Sequence, residues 1–459
     1  MSESAGAALP IPGNRWDLLP PVTSRENPFV SVCIPTRNGG STLDRTLRML
    51  ALQSYPLDRL EVVVADDGSD PPLELESTPL PYRLTVVRQE AQGFGAGRAR
   101  NLAASRASGE ILVFLDGDVI PEIGVVRDYV DWVQRHPLCV PFGFSRFVDL
   151  SLVSDERLAR ALREGVVDRI VDPIDVDSQE YREPYFHSTN DLTIERTDLY
   201  RVFVTATFAV SAEFFEAVGG FRELGVRGVE DIELGYRLVN RGALLVPVRS
   251  AQHWHQGRRT MSGERIAEIR RARQPFVERL LPVGGFRPER PLRSGPVRPV
   301  CRFVAHIASG CSDDSVAAVS IRAARQEDVQ LAAEDDEEQA HTFADVFLPA
   351  ELSWSTHTGA LLVRAFEDFG VGTLRLVGDD HAPVIVRRRR AACRSKSSTG
   401  TASDSLAEQL FGVAVMLASE AGITDPVMAR RAGPTPLTYR VAAGWRRLRR
   451  AANALADIT

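Results

Sequence analysis

Residues 111–118 read Ile-Leu-Val-Phe-Leu-Asp-Gly-Asp. Five apolar residues run without a break and stop at a turn carrying two carboxylates. A short apolar run bounded by turn residues is the pattern of a strand covered on both faces. The same form occurs twice upstream. Phe29–Ile34 (FVSVCI) stops at Pro35, and Leu60–Ala65 (LEVVVA) stops at Asp66-Asp67-Gly68. Leu84–Val87 is a shorter third strand. Between the strands lie helical spacings: Leu43–Leu52, with Ser41 as a candidate N-cap, and Arg98–Ala107 after a glycine-rich turn. Strands alternating with helices predict an α/β domain built on a mainly parallel, mixed, Rossmann-like sheet. Ligands of such sheets sit beyond the carboxyl ends of the strands. Thr36, Asp66, Asp67, Asp116 and Asp118 stand there.

Further along, residues 151–200 are charged and irregular. Val202–Val210 (VFVTATFAV) reads as another buried strand and Glu213–Val218 as a short helix. Val229–Asn240 is amphipathic, with Ile232, Tyr236 and Val239 on one side and Gly242 to close it. Leu244–Val248 is a strand followed by His253-Trp254-His255. Residues 1–27, rich in Pro, Gly and Ser, read as a flexible tail. The first domain is expected over 28–285. Residues 286–299, dense in Pro and Arg, read as a linker. A smaller accessory α/β domain is expected over 300–430, and a basic amphipathic helix over 431–459. Within the accessory domain the reading places strands at Phe303–His306, Leu374–Leu376 and Val384–Val386, and helices at Leu361–Phe369 and Leu406–Ser419. Ser395–Ser405 reads as a loop, Glu334–Glu338 as an acidic run, and Arg387–Arg390 as a solvated basic edge.

Of 459 residues, 44% are hydrophobic and 25% charged, which is globular composition. Lys+Arg of 55 against Asp+Glu of 61 gives a net charge of -6, which disfavours nucleic acid as a partner. Cys33, Cys139, Cys301, Cys311 and Cys393 are scattered and form no Cys-x-x-Cys pair, so neither a disulfide scaffold nor a zinc finger is expected. The opening MSESAGAALPIPGN has no basic start and no apolar core, and no apolar run reaches the ~18 residues of a membrane span. The expectation is a cytoplasmic protein. The Arg-rich C-terminal helix has the composition of a membrane-surface anchor at the inner face of the membrane. It equally suits a helix packed on its own domain by Val441, Leu448 and Leu455.

The candidate chemistry follows from the strand ends. Asp116 and Asp118, one residue apart, can both reach a hard divalent cation, Mn²⁺ or Mg²⁺, which can hold a diphosphate. Asp175-Val176-Asp177 has the same spacing but no buried strand before it, and reads as a solvated loop. Asp66 and Asp67 can accept from a base N–H or a ribose hydroxyl, or cap a turn. Gly93–Asn101 opens a helix, and Arg100 and Asn101 are polar groups at its head. Glu230 and Asp231 begin another helix, where they either complement its dipole or supply a general base. His253 and His255 point the same way on an extended chain, so either can serve as a metal ligand.

These pieces, in this order, resemble the family-2 inverting glycosyltransferases with the GT-A fold. The stretches that carry the resemblance are VSVCIPTRNGG (30–40), VVVADDGSD (62–70), GAGRARNLAASRASGEILVFLDGDVIPE (95–122) and GVEDIELGYRLVNRG (228–242). The last, with the histidines after it, is most similar to chondroitin-polymerase and galactosyltransferase-type domains. The resemblance implies that Pro35, Thr36 and Asp67 hold the nucleobase and ribose, and that Arg100 lies against the nucleotide. It implies that Asp116 and Asp118 bind ribose and a metal diphosphate, with His255 as a third metal ligand. Glu230 would contact the acceptor and Asp231 would be the base. The implied activity moves a sugar from a nucleotide-diphospho-sugar, UDP-linked, to a saccharide or metabolite acceptor in polysaccharide biosynthesis. Two departures stand out. Arg227-Gly228 replaces the family's Trp-Gly, and Arg37-Asn38 replaces an aromatic or small residue before Asn. A nucleotidyltransferase and a catalytically silent sugar-nucleotide-binding or assembly protein are the competing readings. The accessory domain is either a degenerate transferase-like unit or a binding unit.

Overall fold

A computed structural model of the chain describes residues 10–22, 27–75, 79–171, 180–257 and 263–282, and beyond them 302–307, 315, 317, 329–332, 342–348, 352–354, 358–377, 383–399, 404–417, 421, 423 and 424. The chain divides into two compact units. One is Gly13–Ile194 with Asp198–Phe276, and the other is Met1–Pro12 with Glu195–Thr197 and Val277–Thr459. The stretches 175–177, 286–299, 334–338 and 431–459 lie outside the described residues, so the expectations placed on them have no structural counterpart.

The first unit is built on β1 (Val30–Thr36), β2 (Leu60–Asp66), β3 (Arg83–Arg88), β4 (Ile111–Leu115), β5 (Val119–Pro121), β6 (Cys139–Val148), β7 (Thr207–Ser211) and β8 (Leu244–Gln256). They form one mixed sheet in the order β3-β2-β1-β4-β7-β6-β8-β5. The first four are mutually parallel, and β7 runs against β4. All seven residues of β1 and of β2 are buried, as their mainly apolar runs favour, and the polar Ser31 and Glu61 inside them pair with each other at 2.6 Å. Helices α1 (Gly40–Leu50), α2 (Ala96–Arg106), α3 (Val125–Arg135), α4 (Asp155–Glu164), α5 (Glu183–Ser188), α6 (Ala212–Val218), α7 (Glu230–Asn240) and α8 (Gly263–Leu280) accompany it. The expected mainly parallel α/β architecture is present.

An aromatic cluster fixes the end of β4. Phe114 stacks on Phe208 of β7 at 4.7 Å and also meets Phe215 and Phe221. One residue past the strand, the Asp116 N–H donates to the Ala206 carbonyl at 3.0 Å. Helix α7 is held by a buried pair, Arg237 to Glu233 at 2.6 Å, with Arg222 on the same carboxylate at 2.9 Å. Arg237 also donates to the Val218 carbonyl at 2.8 Å.

Several local expectations change. Helix α1 is capped by Gly39, not Ser41, which lies inside it. The strand expected at Val202–Val210 forms only from Thr207, since Leu199–Val202 closes into a 3-10 turn. The strand expected to stop at Val248 runs on to Gln256, so both histidines lie within it. The register shifts between Phe142, opposite Pro247, and Phe144, opposite Gln252, and the pairing continues beyond the irregularity. The expected tail is partly fixed structure. Asn14 is fully buried and makes a two-way pair with the Leu245 backbone, donating to its carbonyl at 2.9 Å and accepting from its N–H at 2.9 Å. It donates to the Leu192 carbonyl as well, and Trp16 packs edge-on against Trp132.

The second unit carries another mixed sheet, ordered Val329–Leu331, Phe303–Ile307, Ala344–Leu348, Val384–Arg388, Thr373–Val377 and Val413–Leu417. The loop expected from Ser395 is helical through Thr399. The hydroxyls of Ser395 and Ser397 donate back to the carbonyls of Ala392 and Arg394, which lets serine sit inside a helix. The helix expected over Leu406–Ser419 ends at Phe411. Gly412 takes a left-handed φ of 75°, and a strand follows. Arg387, Arg388 and Arg390 are buried and not a solvated edge. Asp404 holds Arg387 at 2.6 Å, and Glu195 stands 3.3 Å from both Arg388 and Arg390. Among the described residues no helix is long and apolar enough to cross a membrane.

The Asn14 pairing yields a stability test. Asn14→Ala leaves the buried Leu245 N–H and carbonyl without those partners, at a cost of about 2–3 kcal/mol. Chemical denaturation should show the midpoint falling without a change in slope.

Candidate active site

A cavity of about 780 Å³ opens at the carboxyl ends of β1 and β4. Pro35, Thr36, Asp67 and Arg100 line it, as do Asp116, Asp118, Glu230 and Asp231. Eight candidates separated by up to 196 positions in the chain therefore share one space.

Each side chain has a local reason for its place. Asp67 follows β2, and its N–H donates to the Thr36 carbonyl at 2.8 Å. Gln89 and Arg98 donate to its carboxylate at 2.7 and 3.3 Å. Gly95 sits directly above, where a Cβ would lie 2.1 Å from an Asp67 oxygen, so only glycine fits. Asp66, in contrast, does not line the cavity. Its carboxylate accepts from the Ser69 N–H and hydroxyl and from Arg88 at 2.6 Å. It is a turn and strand brace, a correction to its assignment as a nucleotide contact. Asn101 is also structural: its amide pairs both ways with the Phe221 backbone at 2.8 Å.

Arg100 reaches the cavity from the first turns of α2 and is buried. It donates to Asp116 at 2.5 Å and rests on the Phe221 ring. Burial works against its charge, but Asp116, Asp231 and Glu230 outweigh that and hold the guanidinium above its ordinary value. Its Nε and Nη1 have no hydrogen-bond partner, so buried donors remain for a bound anion. Burial pushes the Asp116 carboxyl up, with Arg100 pulling the other way. Burial also raises Asp231, opposed by Arg100 and by a hydrogen bond from the Thr205 hydroxyl. Burial, then the Asp231 charge, raises Glu230 to about 7. One Glu230 oxygen accepts from the Gly228 and Val229 N–H groups at 2.7 and 2.9 Å.

The two histidines separate. The short β5–β8 ladder pairs Val119 with His255, and the Gln256 N–H donates to the Asp118 carbonyl at 2.9 Å. His255 Nε2 thereby comes to 3.4 Å from an Asp118 carboxylate oxygen, with Phe147 stacked on its ring. His253 is buried against the Ser145 hydroxyl, and burial lowers it to about 3. Among the described residues no three His, Cys, Asp or Glu side chains converge on one point. Asp118 and His255 are one hard and one borderline donor side by side, while Asp116 is engaged by Arg100. That pair suits a divalent cation.

Four cavity features were not among the candidates. Thr205 orients Asp231, and its only signal is a hydroxyl inside an apolar run. Tyr181, 58% exposed, adds an aromatic ring to the cavity lining. Ile269 and Arg273 come from α8. Their signal is the helical spacing of Ile266, Ile269, Arg270 and Arg273.

The raised Glu230 pKa makes a stability prediction. A buried carboxyl that keeps its proton to about pH 7 stabilises the fold most at low pH. That contribution fades as pH rises from the ordinary carboxylate range through about 7. Glu230→Gln cannot ionise. In EDTA, thermal melts should show Tm gained over wild type at pH 8 and a clearly smaller difference at pH 5.

Residues 31–211 match the family model for glycosyl transferase family 2. Over 228 residues the chain is 35% identical to validoxylamine A glucosyltransferase of Streptomyces hygroscopicus subsp. jinggangensis (strain 5008), covering 47% of this chain and 52% of that protein. Over 245 residues it is 30% identical to chondroitin synthase of Pasteurella multocida (strain Pm70), covering 50% of this chain and 25% of that protein. The chain thus spans between a quarter and about half of the length of these relatives. A solved structure, the mannosyltransferase PcManGT from Pyrobaculum calidifontis in complex with GDP-Man and Mn²⁺, is similar at 21% identity and a TM-score of 0.37, covering 57% of this chain and 67% of that one. The likeness to glycosyl transferase family 2 is thus carried by the segment from Ser31 to Ser211.

Proposed function

We propose that this domain transfers a sugar from a nucleotide-diphospho-sugar, UDP-linked, to a hydroxyl of a saccharide or metabolite acceptor, with inversion. The observation that carries the proposal is the shared cavity: the strand-end pair Asp116 and Asp118 and the helix-start pair Glu230 and Asp231 line one space. Buried Arg100 stands among them.

In this reading Pro35, Thr36 and Asp67 take the nucleoside. Asp67 is already pinned by Gln89 and Arg98, so it meets the nucleoside without being ordered first. Asp118 and His255 would hold Mn²⁺ or Mg²⁺, which when bound supplies positive charge to the departing diphosphate. The free Arg100 donors face the same anion. Asp231, with one oxygen fixed by Thr205, takes the proton of the acceptor hydroxyl on the other. The acceptor oxygen then bonds to the anomeric carbon as the bond from that carbon to the diphosphate breaks. A raised pKa strengthens Asp231 as a base. Glu230, fastened to the backbone by one oxygen, presents the second to an acceptor hydroxyl.

Incubation with UDP-, GDP- and dTDP-sugars, with Mn²⁺ or with EDTA, should release nucleoside diphosphate from one donor in a metal-dependent way. No release from any donor, together with no nucleotide binding by calorimetry, would sink the proposal. With the donor known, Asp231→Asn should lower turnover by about 10²- to 10⁴-fold while nucleotide affinity holds. Gly95→Ala should act in the opposite sense. It displaces the Asp67 carboxylate, so titration should show weaker UDP binding, by roughly tenfold or more.

A further inference from the structure

The wall of the cavity beside Glu230 is cationic. Helix α8 presents Ile266, Ile269, Arg270 and Arg273 to it, at the i, i+3, i+4, i+7 spacing of one helix face. Arg273 donates to the Gly228 carbonyl at 3.1 Å, and the Gly228 N–H in turn donates to Glu230. Arg227, where the family has tryptophan, lines the same wall, with its guanidinium 5.7 Å from the centre of the Phe94 ring. Among the described residues none of these three arginines is ion-paired. Burial, then the neighbouring Arg270 charge, lowers Arg273 below its ordinary value, and the Glu230 carboxylate pulls the other way without cancelling them. Arg227 and Arg270 are exposed and Arg273 is half-buried, so this wall offers three solvent-reachable cations to an anion entering the cavity.

The anion has two conceivable sources, the donor's diphosphate and the acceptor. The order of contacts separates them. Asp116 is bonded to Arg100, which feels the charges of Asp231 and Glu230. Glu230 is bonded to Gly228, and Gly228 to Arg273. The α8 arginines therefore adjoin the pair assigned to the acceptor, at the far end of this path from Asp116. We propose that Arg227, Arg270 and Arg273 form an oxyanion subsite for the acceptor, which belongs to the class of carboxylated or phosphorylated sugars and metabolites. This rests on the transferase reading above. The replacement of an indole by Arg227 then exchanges a stacking surface for a charge, and the acceptor is held by its anion rather than by a sugar face.

The test is calorimetric and needs no turnover. The full chain, saturated with UDP and Mn²⁺, is titrated with glucose, glucuronate and glucose 6-phosphate. Either anionic sugar should bind at least about tenfold more tightly than glucose. Arg270→Gln with Arg273→Gln should erase that preference, and the Arg270→Lys, Arg273→Lys pair should restore part of it. Equal binding of all three sugars, absence of binding by both anionic ones, or a preference that survives the glutamine pair would overturn the subsite. If the glutamine pair instead weakens UDP itself by the same factor, the arginines serve the donor, and the acceptor assignment falls. Failure of the transferase reading shows separately, as absent donor hydrolysis, and leaves this binding readout intact.

Discussion

A buried guanidinium is the condition on which the site depends. Asp116, Glu230 and Asp231 come from distant parts of the chain, and each loses solvation where it stands. Gathered without a cation, they would repel and take up protons. Arg100 opposes this from their midst, bonded to the first and within electrostatic reach of the other two. Its own placement is set by the sheet. Ala99 and Ala103 of α2 are fully buried, and Gly97 packs beside Phe221 where a larger residue would press on the ring. Small residues three positions either side of Arg100 thus let its face of the helix approach closely and set where the charge can sit.

Much of this was legible in the sequence because it rests on local pattern. The run 111–115 is apolar without a break and the runs 30–34 and 60–65 are each broken once, by Ser31 and Glu61, and runs of that kind have few places to go other than a covered parallel strand. The acidic turns after them then fall at one edge of the sheet by topology alone. What the pattern does not contain is direction. Asp66 and Asp67 are neighbours of the same chemistry at the same strand end, yet one faces Arg88 and the other the cavity. The two differ only in which side of the chain they leave from, and that depends on the residue at which the strand ends.

Other features stayed hidden because distant partners set them. Asn14 sits in a stretch with the composition of a tail, and only the unpaired backbone of Leu245 gives it a role. Arg387, Arg388 and Arg390 look like a solvated edge until Asp404 and Glu195 are placed beside them. The serines from Ser395 suggest a loop by propensity, but their hydroxyls find carbonyls one turn back. Each case is a polar group whose partner is far off in sequence or exists only once the helix has formed.

The ladder between β5 and β8 has a further consequence. Only three pairs connect these strands, and they set Val119 opposite His255, Ile120 opposite Trp254 and Pro121 opposite His253. Side chains alternate along a strand, so a slip of one residue would bring Trp254 to Asp118 in place of the imidazole. The side chain beside Asp118 is therefore a matter of counting as much as of composition. A single insertion or deletion before residue 253 could remove the imidazole from the site with every histidine still in the chain. The length of the segment leading into β8 is thus a variable in its own right, able to change which side chain stands beside Asp118 while every local motif stays untouched.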